Sequence, residues 1–159
     1  MTIRTRLTLW YAGMMFATLL AMASGLAEVK FVDWIARDVA QAMQGLGTVA
    51  AILLLVAAFY FLHYLFASIT AHATAMLPVF FAVAVKIPGV SRVTMVLLLS
   101  YALGLFGILT PYATGPAPIY FSGGYISRRD FWLYGLILGL IFFCTYLLLV
   151  IPWLRFLGM

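Results

Sequence analysis

Between Asp38 and Lys86 the chain carries no Asp, Glu, Lys or Arg, yet "SITAHATAMLP" at 68–78 sets Ser68, Thr70, His72 and Thr74 at alternate positions there. Hydroxyls beside a helix start, with free backbone N–H groups around them, attract carboxylates. A histidine at membrane depth is a functional candidate by default. The plainer alternative for each hydroxyl is a bond back to the carbonyl one turn earlier in its own helix.

A second cluster lies at 110–118, "TPYATGPAP", with three prolines and a glycine in nine residues. No helix runs through such a stretch. The polar loop "SRRD" at 127–130 begins only nine residues beyond Pro118, which places the break within the membrane; an ordinary extramembrane loop is the alternative. Thr114 offers a hydroxyl there, and a broken turn offers free carbonyls and N–H groups. Broken helices of this kind hold coupling ions and carboxylates in secondary transporters.

Other chemistries fit less well. His63 and His72 are nine residues apart, about 180° around one straight helix. They are expected to face opposite ways and cannot flank a haem. Zinc would need more ligands than two histidines with no Cys, Asp or Glu nearby, so neither a metal nor a bound cofactor is expected. Ser68 with His72 one turn on lacks an acid to orient the base, and no catalytic residue is assigned. The first spans lack the arginines and acids of a glutathione-type membrane enzyme. The lone Cys144 excludes a thiol-oxidase pair and an internal disulfide. Nine basic residues scattered over five places give a net charge of +5 but no nucleic-acid patch.

The elements that must position these groups are helices in lipid. Apolar residues make up 67% of the 159 and charged residues 8%, with a mean hydropathy of +1.16. A soluble surface needs roughly a quarter of its residues charged. Residues 7–27 form a 21-residue apolar run, longer than the apolar core of a signal peptide and expected as a retained span. Residues 28–44 alternate apolar and charged faces at helical spacing, as a helix lying on the membrane surface does; a soluble connector helix is the alternative. Residues 48–85 make an apolar block of 38 residues, short for two spans and too long for one. A re-entrant hairpin bent at Ser68–Thr74 fits it. "KIPGVSR" (86–92) is a loop, 93–126 a broken helix, and 131–154 a last span flanked by Trp132, Tyr134 and Trp153. The fold class expected is an all-α membrane protein. If the hairpin enters and leaves on one side, Arg4, Arg6, Arg128 and Arg129 fall on the cytoplasmic side by the basic-inside rule. Lys30, Arg37, Lys86, Arg92 and Arg155 then lie outside.

"YLFASITAHATAMLPVFFA", followed by "LFGILTPYATGPAPIYFSGGYISRRDFWLYGLILGLIFF", resembles the divalent anion:sodium symporter family. The likeness is to its branch of 2-oxoglutarate/malate, citrate/succinate and tartrate/succinate exchangers, and it covers essentially the whole chain. The resemblance implies secondary transport of di- or tricarboxylates by exchange, through an elevator-type motion, in a bacterial inner membrane. It implies substrate contacts at Ser68, Thr70, Thr114 and Pro116. It implies a cation site at Ser68 and the Ala113 carbonyl, and a homodimer partner. The family's Ser-Asn-Thr signature falls on Ser68, Ile69 and Thr70, and Ile69 lacks the amide that helps hold sodium, which disfavours sodium coupling. Ala117 stands where the sodium-coupled branch often has Asn. His72 belongs to the exchanger-like pattern, as a substrate contact or as a brace of the hairpin tip. Family members are longer and built of two inverted repeats. This chain corresponds to the second half of the second repeat, so the missing N-terminal part is an expected partner. The alternative reading is a truncated or structural small membrane protein that transports nothing.

Overall fold

The computed structural model describes residues 2–158. Among these the chain is helical, with no strand. α1 spans Ile3–Glu28, α2 Phe31–Ala42, α3 Thr48–Phe61, α4 Ile69–Ala84, α5 Arg92–Ala102, α6 Ala117–Ser122 and α7 Arg128–Phe156. Short 3-10 turns at Leu62–Leu65 and Phe106–Ile108 extend α3 and follow α5. Thr48–Leu65 and Arg128–Phe156 are long and apolar enough to cross a bilayer.

Residues 48–85 fold as two antiparallel arms, α3 and α4. The reversal follows from local geometry. The 3-10 turn tightens the chain after Phe61, Phe66 is extended (φ −118°, ψ 133°) and Ser68 is extended (φ −160°, ψ 135°). The Ser68 hydroxyl then accepts the Ala71 amide at 3.4 Å and caps α4. The open ends of the arms meet. Thr48 Oγ1 donates to the Pro88 carbonyl at 3.4 Å, and Gly89, at φ 80°, lies against the Thr48 side chain. Pro78 sits inside α4; its missing N–H leaves the Thr74 carbonyl without its helical partner. Thr74 itself takes the plainer role, its hydroxyl donating to the Thr70 carbonyl at 2.8 Å.

α2 lies along α4 as its largest partner, and α5 packs against α3, α4 and α7. Ala36 of α2, and Met43 directly after it, are buried. The core between the arms, α5 and α7 is built from Leu55, Val56, Phe59, Tyr60, Leu98, Leu99, Phe106, Leu109 and Phe143. The polar ends of two buried tyrosines are spent on backbone: Tyr60 Oη donates to the Gly139 carbonyl at 3.1 Å and Tyr146 Oη to the Leu98 carbonyl at 2.6 Å. Leu98 also has a helical partner for its carbonyl, so Tyr146→Phe strands no group completely. It should lower stability by about 0.6–1.7 kcal/mol, the range of interhelical bonds in lipid. Unfolding in mixed micelles measures this, and an unchanged midpoint would count against the bond.

The broken helix expected over 93–126 divides earlier than the prolines alone require. α5 stops at Ala102, ahead of Pro111, and residues 103–116 form turns. Helix resumes at Ala117, with Pro116 at its start and Pro118 in its first turn, positions where the missing N–H costs nothing.

Candidate functional site

The two segments that carry the polar clusters each bring a methyl group to Gly107. A Cβ placed there would lie 2.8 Å from the Thr114 methyl and 3.4 Å from the Ile69 Cδ1. Glycine therefore lets the middle residue of "SIT" and the threonine of "ATGP" close on one point. Ser68 is half-buried, Thr70 exposed, Thr114 half-buried, and Gly115 and Pro116 exposed. Ala113 is fully buried. The residues after Thr110 are held by turn bonds, Ala113 N to Thr110 O at 3.1 Å and Ala117 N to Thr114 O at 3.2 Å. The hairpin thus contributes a capped helix start, and the break contributes a hydroxyl on a turn, to the same corner.

Behind that corner stands an aromatic block. His63 and His72 are fully buried, with ring centroids 5.3 Å apart. The expectation that they face opposite ways is corrected here. It assumed one straight helix through both, whereas the chain reverses between them at Phe66–Ser68. His63 stacks on Phe106 at 4.1 Å, and His72 packs edge-on against Phe59 at 4.6 Å and Phe66 at 4.9 Å. Phe106 also meets His72 at 4.9 Å. All four ring nitrogens, and the hydroxyl of buried Thr110, have no hydrogen-bond partner among the described residues. His72 is thus enclosed by aromatic rings, whereas Ser68 and Thr114 are half-buried and Thr70 is exposed.

α7 closes the arrangement from the other side. Trp132 stacks on Tyr64 (5.7 Å, 16°) and packs against Tyr112 (5.9 Å). Tyr112 Oη donates to the Tyr64 carbonyl at 3.0 Å, joining the break to the end of the first arm. Two positions that residue chemistry did not single out are Gly135 and Gly139, both buried where α7 crosses the break. A Cβ on Gly135 would stand 2.6 Å from the Leu109 carbonyl oxygen, and one on Gly139 would strike Leu109 Cδ2. The signal was present as a G-x-x-x-G spacing, which marks close helix approach in apolar segments. Among the described residues no group of three or more metal-ligating side chains forms.

Comparison with known proteins supplies context for this geometry. The family model described as "Sodium:sulfate symporter transmembrane region" matches residues 2–159. The citrate/succinate antiporter of Escherichia coli K12 is 42% identical over 144 residues, covering 91% of this chain and 29% of that protein. The L-tartrate/succinate antiporter of the same strain is 36% identical over 144 residues, covering 91% of this chain and 30% of its own length. The Shigella sonnei L-tartrate/succinate antiporter shows the same 36% identity. The chain thus spans less than a third of the length of these relatives.

Proposed function

The chain belongs to the sodium:sulfate symporter transmembrane family, and we propose on that premise that it supplies one side of the carboxylate site of an exchanger. The transported anions are di- or tricarboxylates of the succinate, citrate, tartrate, malate and 2-oxoglutarate class. The observation that carries the reading is the meeting of the α4 start and the 110–118 break at Gly107. A carboxylate seated there would take the Thr70 and Thr114 hydroxyls and the backbone N–H groups at Ser68 and beside Pro116. The Ala113 carbonyl with Ser68 is the corresponding cation position. Ile69 brings only a methyl group to this corner, which supports exchange over sodium-coupled uptake.

The N-terminal part of a full-length transporter would supply the opposing half of the clamp, and a homodimer would form the scaffold. The exposure of Thr70, Gly115 and Pro116 leaves that face free to meet it. The antiparallel arms with joined ends act as a re-entrant hairpin moved by an elevator step in the inner membrane. His72, fully buried among aromatic rings, braces the tip. Transport needs no covalent step, so no catalytic group is assigned.

Proteoliposomes carrying this chain, alone or with its N-terminal counterpart, test the reading by counterflow of labelled succinate against citrate in sodium-free buffer. Thr70→Ala and Thr114→Ala each remove a hydrogen bond to a charged group, about 1.5–3 kcal/mol. Each should therefore weaken apparent substrate affinity by about 10- to 150-fold. Unaltered exchange in both variants would overturn the site. Absence of any substrate flux with the counterpart present would favour a structural role.

A further inference from the structure

We infer that His63 is a positioning residue of the carboxylate corner: its ring N–H pairs with the Ala113 carbonyl and so fixes where Thr114 stands. The inference rests on the exchange reading for the role of Thr114. It adds a residue from the turn that ends the first hairpin arm. His63 is fully buried, so it acts through the backbone of the break rather than on the substrate.

Two separate observations place His63 beside Ala113. The Ala113 backbone faces the His63 ring, short of a closed hydrogen bond. The residues next to them are joined outright, because Tyr112 Oη donates to the Tyr64 carbonyl at 3.0 Å. Residues 63–64 and 112–113 therefore lie together. Stacking on Phe106, at 4.1 Å between centroids and 25° between planes, keeps the imidazole at this place.

Neither group has another partner. A neutral imidazole carries one N–H and one bare nitrogen, and both ring nitrogens of His63 are unpaired among the described residues. Ala113 is fully buried as well. Its amide donates to the Thr110 carbonyl at 3.1 Å, and the Thr114 carbonyl accepts the Ala117 amide at 3.2 Å. The Ala113 carbonyl itself receives no backbone N–H among the described residues. A buried donor and a buried acceptor left open side by side each carry a desolvation cost, and pairing removes both. The χ2 torsion of histidine is broad, so the ring has the freedom to close the bond. Thr114 follows Ala113 directly. Holding the Ala113 carbonyl fixes the peptide that leads into Thr114, and with it the hydroxyl that the exchange reading gives to the substrate.

Counterflow of labelled succinate against citrate, in proteoliposomes holding the chain and its N-terminal counterpart, tests the inference. His63→Phe keeps a ring on Phe106 and removes the N–H. It should raise the apparent KM for succinate about 2- to 12-fold, the worth of one neutral hydrogen bond, with little change in maximal rate. His63→Gln keeps an N–H and loses the ring. It should recover most of the affinity while lowering the unfolding midpoint in mixed micelles. A packing role alone predicts the opposite order, with affinity kept in the Phe variant and lost in the Gln variant, and that result would overturn the inference. In a Thr114→Ala background His63→Phe should add no further rise, because His63 acts through Thr114; additive effects would overturn it too. Weakened affinity in Thr114→Ala beside unchanged KM in His63→Phe would sink this inference and leave the exchange site standing. Unaltered exchange in Thr114→Ala would sink both. A readout independent of any variant's folding comes from the ¹⁵N-imidazole spectrum of the unsubstituted chain, which holds two histidines. One N–H should show the downfield, exchange-protected proton of a bond to a carbonyl, and the lack of any such proton would overturn the pairing.

Discussion

Phe106→Ala should cost on the order of 2–3 kcal/mol of stability and should uncouple the two halves of the candidate site. The magnitude follows from where the ring sits. It is fully buried in protein, with Phe59 at 6.1 Å, Tyr60 at 5.8 Å, His63 at 4.1 Å and His72 at 4.9 Å between ring centroids. In a bilayer the unfolded reference is lipid, so little transfer energy is lost when the ring goes. What remains is the cavity term, about 24 cal/mol per Å³ over roughly 100 Å³ of removed side chain. Phe106 is the one ring of the 103–116 segment that touches both arms of the hairpin, through Phe59 and Tyr60 on one and His72 on the other. Its loss removes the packing that fixes Gly107 against Ile69 and Thr114. Mixed-micelle unfolding reads the stability, and Phe106→Leu should recover more than half of the loss by refilling most of the volume. A change within about 0.5 kcal/mol, the range of ordinary surface substitutions, would show that the ring is not the joint described here.

The contrast between Phe106 and the polar clusters shows which parts of this molecule could be read from its residues. The all-helical class followed from composition and run length, because lipid admits only helices or closed barrels and no alternating pattern is present. A helix start beside the 68–74 hydroxyls was one of two readings open from the sequence, and the structure puts it at Ile69 with Ser68 as its cap. The proximity of His63 and His72 was not legible. Helical spacing separates them by half a turn, and only the extended backbone at Phe66 and Ser68 brings their rings together. The early end of α5 at Ala102 was hidden for a similar reason. Residues 103–110, "LGLFGILT", read as apolar span, and nothing local in them forbids a helix except Gly104 and Gly107. The chain leaves helical geometry there so that Gly107 can admit Thr114 and the Leu109 backbone can meet α7. That is a tertiary demand that no window of neighbouring residues reveals.

That demand on α7 gives the last prediction, and it inverts what contact distance alone suggests. Gly139→Ala brings a Cβ against Leu109 Cδ2 in the tighter contact of the two, and Gly135→Ala brings one to 2.6 Å from the Leu109 carbonyl oxygen. The first neighbour is the free end of a leucine side chain, which gives way by twisting about 30° off its rotamer at about 0.5–1.5 kcal/mol. The second is backbone, reinforced by the Ile108 carbonyl oxygen at 3.0 Å and the Leu109 carbonyl carbon at 3.2 Å. It moves only if the whole 106–110 turn backs away from α7. Alanine gains up to about 1 kcal/mol over glycine in helix propensity, which offsets most of the cost at Gly139. It offsets only part of the overpacking cost of about 1–3 kcal/mol expected at Gly135. Gly139→Ala should therefore be close to neutral in mixed-micelle unfolding, while Gly135→Ala lowers the midpoint. Gly135→Val, with two further methyls aimed at the same carbonyls, should prevent the chain from accumulating in the membrane. The Trp132–Tyr64–Tyr112 junction lies one turn earlier on α7. Gly135→Ala should therefore also shift tryptophan emission to the red, as Trp132 is levered away from its stack. Gly139→Ala, one turn further along, leaves that stack in place. The reverse order of effects would mean that the break approaches α7 through side chains rather than backbone. The corner at Gly107 would then not be held from behind.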